Sequence, residues 1–385
     1  MPKTNRPIRI LHVLQALNRG GVETWLMDLL RHLDPSRIHF DFMVHVSAPA
    51  AYDDEIRSRG SHIYPCLGIR RPIAYARNFQ RILREHGPYD VIHSHVYLYS
   101  GFILWLARKN RIPIRIAHIY PHVDHKKHLW YRPAARFIAG KMIQRNATRL
   151  LADSGMSLSA FQDSFPCPAL KPEVIYPCSD LTPFSKIIDR TEIRRELGLP
   201  LDKTLVVFVA RFSPHKNHRQ IIRLAARMSD LPVHFVMAGS HGEMREEIQN
   251  AANKLANATV LHNLPDISRL LLASDIFFCP SLNEGFGRVV VEAAAAGLPV
   301  VSSDLPTLRE ACPASYHPLM YQPDNDEQAI RQLQYVSKNI GTMNSLISHA
   351  RKEAQSFSLA HNIEQLSHCY SQYSASCCKD EFINH

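Results

Sequence analysis

Short apolar runs alternate with longer amphipathic stretches along the whole chain. The apolar runs predict strands at 8–14, 40–46, 91–95, 114–119, 150–154 and 174–176, and a second series at 205–210, 233–238, 259–262, 276–280 and 300–302. The amphipathic stretches predict helices at 22–32, 74–85, 99–109, 218–228, 243–256 and 289–296. Alternating strands and helices favour parallel sheets with helices on both faces. The pattern therefore predicts an α/β protein with two doubly wound, Rossmann-like domains.

The boundary between the two domains is predicted within a stretch rich in proline, serine and charge at 163–203, with a linker near 178–190. We predict an N-terminal domain at 1–182, a C-terminal domain at 183–357, a helix at 358–375 that packs back on the N-terminal domain, and a tail at 376–385. A chain of 385 residues is long enough for two domains. In open α/β sheets, ligands bind beyond the carboxyl ends of the strands, so functional residues are expected there.

The amino-acid composition mainly excludes certain classes of protein. Hydrophobic residues make up 45% of the chain and charged residues 21%, which is ordinary for a globular protein and excludes wholesale disorder. No apolar run approaches the roughly 18–20 residues that span a bilayer, and the N-terminus lacks a secretory pattern, so a cytoplasmic location is expected. The eight cysteines form no CxxC pair, so neither a zinc ribbon nor a disulfide framework is predicted.

Positive charge is concentrated in the first half of the chain. Residues 1–180 contain 25 Lys and Arg against 14 Asp and Glu, whereas the remaining residues contain 20 and 21. The segment 125–152 has seven basic side chains and no acidic one, with Trp130, Phe137 and other apolar residues between them. This pattern is typical of a surface that contacts a membrane leaflet, a pyrophosphate-linked lipid or a nucleic acid. A solvated helix surface is the alternative.

Two loops that follow predicted strands carry candidate anion-binding groups. Gly20 and Gly21 come between the first strand and a predicted helix, where backbone N–H groups can bind a phosphate. The segment is not a GxGxxG fingerprint, and a plain strand-to-helix turn is the alternative. Arg211 and Lys216 follow the first strand of the second series and predict a diphosphate clamp, with a solvated basic loop as the alternative.

The strongest candidate site is the segment from Glu284 to Glu292. A predicted strand leads into a turn with Gly285 and Gly287, and an apolar helix follows. If the segment were wholly helical, eight steps would separate the carboxylates by roughly 12 Å, so they could bind two hydroxyl-bearing groups of one elongated ligand. The glycines would let N–H groups point at an anion between them. A carboxylate on an apolar helix face is costly without such partners, and a salt bridge at the edge of the core is the alternative.

Together these motifs resemble the family-4 retaining glycosyltransferases of the GT-B fold. The resemblance is carried by Arg211 and Lys216, the E-x7-E pair Glu284 and Glu292 within PSLNEGFGRVVVEAAAAGLPVV, the run GGVE at 20–23, and YDVIHSH at 89–95. It extends over about residues 8–373 and is strongest for the branch that builds bacterial capsule, exopolysaccharide and O-antigen chains. It implies two Rossmann-like domains that face each other across a cleft.

The resemblance also implies a role for each of these residues. Arg211 and Lys216 would bind the nucleoside diphosphate and stabilise the charge of the leaving group. Glu284 would contact the hydroxyls of the donor sugar, and His118 would contact that sugar near its reacting carbon. The remaining donor-binding residues would be Gly20 and Gly21 on the phosphate or acceptor side, Gly285, Phe286 and Gly287 beside the donor sugar, and Glu292 on the ribose hydroxyls.

The implied activity is the retaining transfer of a hexose from a nucleotide-diphosphate sugar, expected to be a UDP-sugar. The acceptor would be a sugar or a polyprenyl-pyrophosphate-linked saccharide in cell-surface polysaccharide synthesis. No metal, other cofactor or nucleic-acid partner is expected, and the segment 125–152 would contact the anionic inner face of the plasma membrane. Two alternatives remain: a GT-B-fold epimerase or hydrolase of the nucleotide sugar, and a non-enzymatic nucleic-acid-binding protein that uses the basic half.

Two features need separate interpretation. Where family members commonly carry Asn-Gly near the domain junction, this chain has PCSD at 177–180, which leaves the conformation there open. Four histidines recur at helical spacing and could ligate a metal, namely His118, His122, His125 and His128. Pro121 argues against one continuous helix across them.

Overall fold

The computed structural model describes residues 6–18, 20–69, 71–120, 132–166 and 170–371. Contacts between residues divide the chain into two units. The first unit consists of Met1–Pro177 together with Leu359–His385, and the second consists of Cys178–Ser358. The predicted tail at 376–385 lies outside the described residues.

The first unit is built around a seven-stranded parallel sheet. Its strands are β1 (Ile8–Leu14), β2 (Ile38–Val44), β3 (Ile63–Pro65), β4 (Val91–Ser94), β5 (Ile114–Ile119), β6 (Arg149–Ala152) and β7 (Pro172–Val174). They lie in the order β3-β2-β1-β4-β5-β6-β7. The helices between them are α1 (Gly21–His32), α2 (Asp53–Ser58), α3 (Pro72–His86), α4 (Ser100–Lys109), α5 (Arg132–Asn146) and α6 (Gly155–Ser164).

The second unit contains a five-stranded parallel sheet in the order β10-β9-β8-β11-β12. Its strands are β8 (Thr204–Val209), β9 (Val233–Gly239), β10 (Ala258–His262), β11 (Ile276–Cys279) and β12 (Val300–Ser302). Its helices are α7 (Arg190–Glu196), α8 (His218–Arg227), α9 (Arg245–Ala252), α10 (Ile267–Ala273), α11 (Arg288–Ala296), α12 (Pro306–Ala311), α13 (Asp326–Asn339) and α14 (Asn344–Ala354).

The last helix, α15 (Leu359–Ser371), belongs to the first unit. Trp25 of α1 donates its indole N–H to Oδ1 of Asn362 at 2.8 Å, and Asn362 Nδ2 donates to the carbonyl of Tyr176 at 2.8 Å. Tyr370, near the end of α15, is buried against Phe40 of β2. Helix α15 thus contributes side chains to the core beside α1, β2 and β4.

The fold class predicted from the sequence is confirmed, because both sheets are parallel and helices separate most of their strands. Every predicted strand is present, shifted by at most two residues. Strand β3 was not predicted, since it has three residues and ends in a proline. The predicted helix at 243–256 is shorter than expected, because α9 covers Arg245–Ala252.

The order of strands determines where each sheet can bind a ligand. Strand order reverses between β1 and β4 in the first sheet, and between β8 and β11 in the second. At such a switch point the chain leaves neighbouring strands in opposite directions and opens a crevice at their carboxyl ends. The loops that follow these four strands are therefore the places to look for functional side chains.

Candidate functional site

Two loops at the switch point of the second sheet carry the predicted diphosphate and sugar residues. Arg211 and Lys216 lie between β8 and α8, and Glu284 lies between β11 and α11. The backbone N–H of Leu282 donates to the carbonyl of His215 at 2.8 Å and joins the two loops. The sheet therefore brings together two groups of residues that are far apart in sequence.

Lys216 and Glu284 form an ion pair in a largely buried position. Nζ of Lys216 lies 2.5 Å from Oε1 of Glu284, and the two side chains are 18% and 8% exposed. Ser281 Oγ donates to the same carboxylate oxygen at 2.8 Å, and Thr307 Oγ1 donates to the Glu284 carbonyl at 3.0 Å. Because buried charges are costly without partners, these contacts hold both charged groups in place before any ligand binds.

Arg211 has a different environment from Lys216. Its side chain is exposed and forms no hydrogen bond or ion pair with the described residues. Its charge nevertheless affects the neighbouring His215. The pKa of His215 is lowered mainly by burial, and further by the positive charges of Lys216 and Arg211. His215 is therefore kept neutral between two cations, and the Arg211 guanidinium is available to an anionic ligand.

Glu292 lies in the second turn of α11 and is held by a serine from the start of the unit. Ser179 Oγ donates to Oε1 of Glu292 at 2.6 Å, and Nε of Arg288 donates to Ser179 Oγ at 3.3 Å. Ser179 belongs to the segment that replaces the family's Asn-Gly pair. The sequence left the conformation of the segment 177–180 open. In the structure this segment supplies the hydrogen-bond donor that orients Glu292.

The turn between Glu284 and α11 is not helical. The helix begins at Arg288, and Gly287 before it has a φ of 89°, in the left-handed region that favours glycine. A Cβ at Gly287 would lie 2.6 Å from Leu308 Cδ2, whereas a Cβ at Gly285 would meet nothing within 4 Å. Phe286 between them is buried against Phe357. Gly285 is thus the open position of the turn, and Gly287 and Phe286 fix its shape.

In the first unit, α1 begins at Gly21, as the glycine pair predicted. A Cβ on Gly20 would collide with the carboxylate of Glu23, which folds back over the start of the helix. Burial raises the pKa of Glu23. The helix start therefore already has a carboxylate beside it.

His118 lies on β5 close to three other histidines: His12 of β1, His93 of β4, and His95 just after β4. His93 Nε2 and His118 Nδ1 are 3.2 Å apart, and His93 Nδ1 is 2.9 Å from Tyr370 Oη. His12 Nδ1 and His95 Nε2 are 3.0 Å apart. Burial lowers the pKa of His118 to about 3, so its imidazole is neutral at physiological pH.

His12, His93 and His95 have ring nitrogens within 4.8 Å of one another, close enough to share a metal ion. Five of their six ring nitrogens already form hydrogen bonds with one another, with His118 or with tyrosines, including His95 Nδ1 to Tyr120 Oη at 2.8 Å. His12 Nε2 is buried without a partner among the described residues. The prediction of no metal therefore stays a prediction. The other members of the predicted histidine row, at 122, 125 and 128, lie outside the described residues.

Helices α4 and α5 form a groove of about 750 Å³ on the first unit. It is lined by Trp105, Phe137, Ile138, Met142 and Asn146 and by the basic residues Arg108, Lys109, Arg111, Lys141 and Arg145. Phe137 and Ile138 are 56% and 59% exposed, and Lys141 Nζ lies 5.6 Å from the Phe137 ring centroid. The groove corresponds to part of the predicted basic segment, of which residues 125–131 lie outside the described residues.

Several residues that shape these sites were missed by sequence reasoning. Ser281 could have been found, since it directly follows a predicted strand and precedes Glu284 by three positions. Ser179 and Tyr370 carried no local signal, because each acts on a residue more than a hundred positions away. His93 lies in the family-like run at 89–95 but had no assigned role.

The two halves of the chain match two family models. Residues 19–182 match Glycosyltransferase Family 4, and residues 189–353 match Glycosyl transferases group 1. Over 312 residues the chain is 33% identical to EpsF of Bacillus subtilis (strain 168), which is named as a glycosyltransferase, and the match covers 77% of this chain and 79% of EpsF. The chain belongs to glycosyltransferase family 4. A D-inositol 3-phosphate glycosyltransferase of Geodermatophilus obscurus is 31% identical over 309 residues, which is 74% of this family-4 chain and 67% of the relative.

Solved structures share the fold of this family-4 glycosyltransferase. HepE of Anabaena, solved in complex with UDP, has a TM-score of 0.78 at 19% identity, over 94% of this chain and 98% of HepE. WaaG, a glycosyltransferase involved in lipopolysaccharide biosynthesis, has a TM-score of 0.66 at 17% identity, over 94% of this chain and 100% of WaaG. The predicted family and the GT-B fold with two Rossmann-like domains are confirmed.

Proposed function

We propose that this glycosyltransferase moves a hexose from a UDP-sugar, with retention of configuration and without a metal ion, to a saccharide or polyprenyl-pyrophosphate-linked acceptor in cell-surface polysaccharide synthesis. The observation that carries the proposal is the Lys216–Glu284 pair. It offers a cation and a carboxylate side by side at the switch point, where α/β sheets bind ligands. HepE of Anabaena has been solved in complex with UDP and with UDP-glucose, which supports a nucleotide-sugar donor.

The reaction mainly requires that the negative charge of the leaving group be stabilised. Cleaving the bond between sugar and diphosphate leaves negative charge on the diphosphate. Lys216 has three N–H donors, so it can keep Glu284 and also bind a phosphate oxygen. Arg211 adds a planar guanidinium that can bind two oxygens at once. Two cations from the chain itself thus stabilise the leaving group electrostatically.

Glu284 is assigned to binding the sugar rather than to attacking it. Its Oε1 already accepts hydrogen bonds from Lys216 and Ser281, which lowers its nucleophilicity and fixes its direction. The open position at Gly285 leaves room for a sugar beside it. We therefore propose that the acceptor hydroxyl attacks from the face that the diphosphate leaves, without a covalent intermediate on the protein. The sugar–phosphate bond breaks as the new glycosidic bond forms, and the hydroxyl proton passes to the departing phosphate oxygen.

The glycine pair of the first unit is assigned to the acceptor. An anion that approached Gly20 and Gly21 would meet the carboxylate of Glu23. A hydroxyl would instead find an acceptor there, because a carboxylate accepts hydrogen bonds from O–H groups. Of the two expectations, phosphate side or acceptor side, this local charge favours the acceptor side.

The donor assignment is tested by thermal unfolding with UDP, UDP-glucose, GDP and ADP. A nucleotide at a hundred times its Kd stabilises the native state by about 2.7 kcal/mol, so the bound nucleotide raises the Tm measurably. We expect UDP and UDP-glucose to do so, with and without EDTA. Equal and negligible shifts for all four nucleotides would contradict the donor site. Rapid consumption of UDP-glucose without an acceptor would instead support the epimerase or hydrolase alternative.

The acceptor class is supported by the groove between α4 and α5. Apolar side chains that stand exposed beside five basic ones suit an anionic membrane surface, where such an acceptor would be presented. Among the described residues that line the groove, none is acidic. No helix in the described part of the chain is both long and apolar enough to cross a membrane. We propose that this groove docks reversibly on the anionic inner face of the plasma membrane.

Charge reversal tests the docking surface. The variant Lys141→Glu/Arg145→Glu is expected to bind vesicles of phosphatidylcholine with 30% phosphatidylglycerol at least tenfold more weakly, because each basic group near such a surface contributes about 1 kcal/mol. The measurement is co-sedimentation at low salt. The control Lys338→Glu/Lys352→Glu makes the same charge change at exposed positions of the second unit and should bind like the wild type. Equal losses of vesicle binding in both variants would mean that binding depends on net charge alone, and would contradict a docking role for the groove.

A further inference from the structure

A chain of hydrogen bonds connects the C-terminal helix to the candidate catalytic histidine of the first unit. Tyr370 Oη lies 2.9 Å from His93 Nδ1, and His93 Nε2 lies 3.2 Å from His118 Nδ1. The His93 and His118 ring planes are parallel within 4°, as a bond between in-plane ring nitrogens favours. All three side chains are buried. Tyr370 and His93 are 277 positions apart in sequence, so this series of hydrogen bonds forms only in the folded unit.

The burial of Tyr370 determines the direction of these hydrogen bonds. Within the described residues, His93 is the hydrogen-bond partner of the Tyr370 hydroxyl. A buried hydroxyl that donates no hydrogen bond has an unfavourable desolvation free energy. We therefore assign the Tyr370 hydroxyl as the donor to His93 Nδ1. A neutral imidazole donates from one nitrogen and accepts at the other. His93 therefore donates from Nε2 to His118 Nδ1, and the proton of His118 is on Nε2.

His118 Nε2 is buried and has no hydrogen-bond partner among the described residues. Trp25 also packs against His118, and its ring meets the His118 ring edge-on at a centroid distance of 5.3 Å. Burial lowers the pKa of both His93 and His118, so neither ring gains a second proton near neutral pH. His118 is thus an oriented, neutral imidazole whose Nε2–H has no partner among the described residues.

We propose that Tyr370 and His93 are positioning residues for His118, and that they fix the tautomer in which its Nε2–H donates to an oxygen of the donor sugar. This inference rests on the proposed contact between His118 and the donor. The hydrogen bond to Nδ1 removes the other tautomer, because that nitrogen is occupied as an acceptor. A histidine free to change tautomer would offer the sugar a lone pair for part of the time and would lose the interaction.

The tautomer is measured directly by two-bond ¹H–¹⁵N NMR on protein labelled at its histidines. The chain has 22 histidines, so the His118 signals are identified as those absent from His118→Gln. We expect the proton on Nε2 in the wild type and a mixture of tautomers in Tyr370→Phe, which removes the hydroxyl donor but keeps the ring. A proton on Nδ1 in the wild type, or an unchanged tautomer in Tyr370→Phe, would overturn the proposal.

Turnover provides the second measurement. Tyr370→Phe and His93→Ala are expected to lower kcat for UDP release about tenfold or more with little change in the donor KM, by analogy with the groups that orient metal-bound histidines. His93→Gln should recover most of the loss, because its amide N–H can replace Nε2–H. The matched control is Tyr75→Phe, which removes the hydroxyl of another buried tyrosine–histidine pair, 2.9 Å from His45 Nε2, and should leave kcat unchanged.

The two measurements separate this inference from the proposed function. The NMR experiment needs no donor or acceptor. It therefore tests whether Tyr370 and His93 fix the tautomer of His118 even if the wild type fails to use UDP-glucose. If the tautomer shifts in Tyr370→Phe while kcat stays at the wild-type value, the proposed role of His118 in transfer is wrong. Unfolding temperatures of all variants show whether a loss of kcat reflects a loss of structure, since Tyr370→Phe preserves the packing of the ring.

Discussion

Replacing Lys216 with alanine is expected to lower the rate of donor turnover roughly 10²–10³-fold, the loss typical of removing one preorganised charged donor. The ammonium is already oriented at the switch point, 2.5 Å from Glu284 Oε1 and 18% exposed. A group held in this way stabilises the departing diphosphate without first having to become ordered. The measurement is kcat and KM for release of UDP from UDP-glucose at saturating acceptor, and most of the loss should be in kcat.

The Lys216→Ala variant needs two controls. Arg219→Ala removes the same charge three positions later from an exposed pair with Glu247, and should keep the wild-type rate. Lys216→Ala also leaves the Glu284 carboxylate buried without its cation, which destabilises the fold. The double variant Lys216→Ala/Glu284→Gln removes that unpaired charge, so it should regain part of the lost stability and remain inactive. A folded Lys216→Ala protein with nearly wild-type kcat would refute the diphosphate assignment.

The sequence predicted those parts of the molecule that depend on local pattern. Strands β1, β5 and β12 have the predicted bounds, because their apolar runs are bordered by polar residues or glycine and proline. The placement of Lys216 and Glu284 at the same edge of the second sheet followed from two loops at carboxyl ends, since the topology of a doubly wound sheet brings such loops together. The ion pair between them was not predicted. Local pattern and fold rules were sufficient for the strands and for this placement.

The missed features depend on long-range contacts or on the exact shape of a turn. The turn and helix predicted around 284–292 are present, but the spacing of roughly 12 Å assumed a wholly helical segment. Gly287 adopts a positive φ and α11 begins only at Arg288, so that spacing does not apply. The hydrogen bond from Ser179 to Glu292 joins residues 113 positions apart. Tyr370 showed in sequence only the apolar periodicity of its helix. Such partners are found from coordinates, since hydrogen-bond geometry is not encoded in residue spacing.

Changing Glu292 to glutamine is expected to weaken UDP binding about 10–100-fold, since a hydrogen bond to a charged group contributes about 1.5–3 kcal/mol. A carboxylate can accept from both ribose hydroxyls, whereas the glutamine amide offers one acceptor and one donor. Ser179 Oγ, 2.6 Å from Oε1, orients the carboxylate, so Ser179→Ala should give a smaller loss of the same kind. Isothermal calorimetry with UDP measures both effects.

The ribose contact can be isolated by removing the hydroxyls from the ligand as well as the carboxylate from the protein. In the wild type, 2′-deoxy-UDP should bind more weakly than UDP, and in Glu292→Gln that difference should shrink, because the partner of the hydroxyl is already lost. Glu327→Gln is the matched control, since Glu327 forms an exposed ion pair with Arg227 on the same unit. If Glu292→Gln weakened UDP and 2′-deoxy-UDP by the same factor, Glu292 would act on the fold of the site and not on this ribose hydroxyl. A reduced difference would instead locate the nucleoside end of the donor beside α11, with Lys216 and Glu284 at the diphosphate and the sugar.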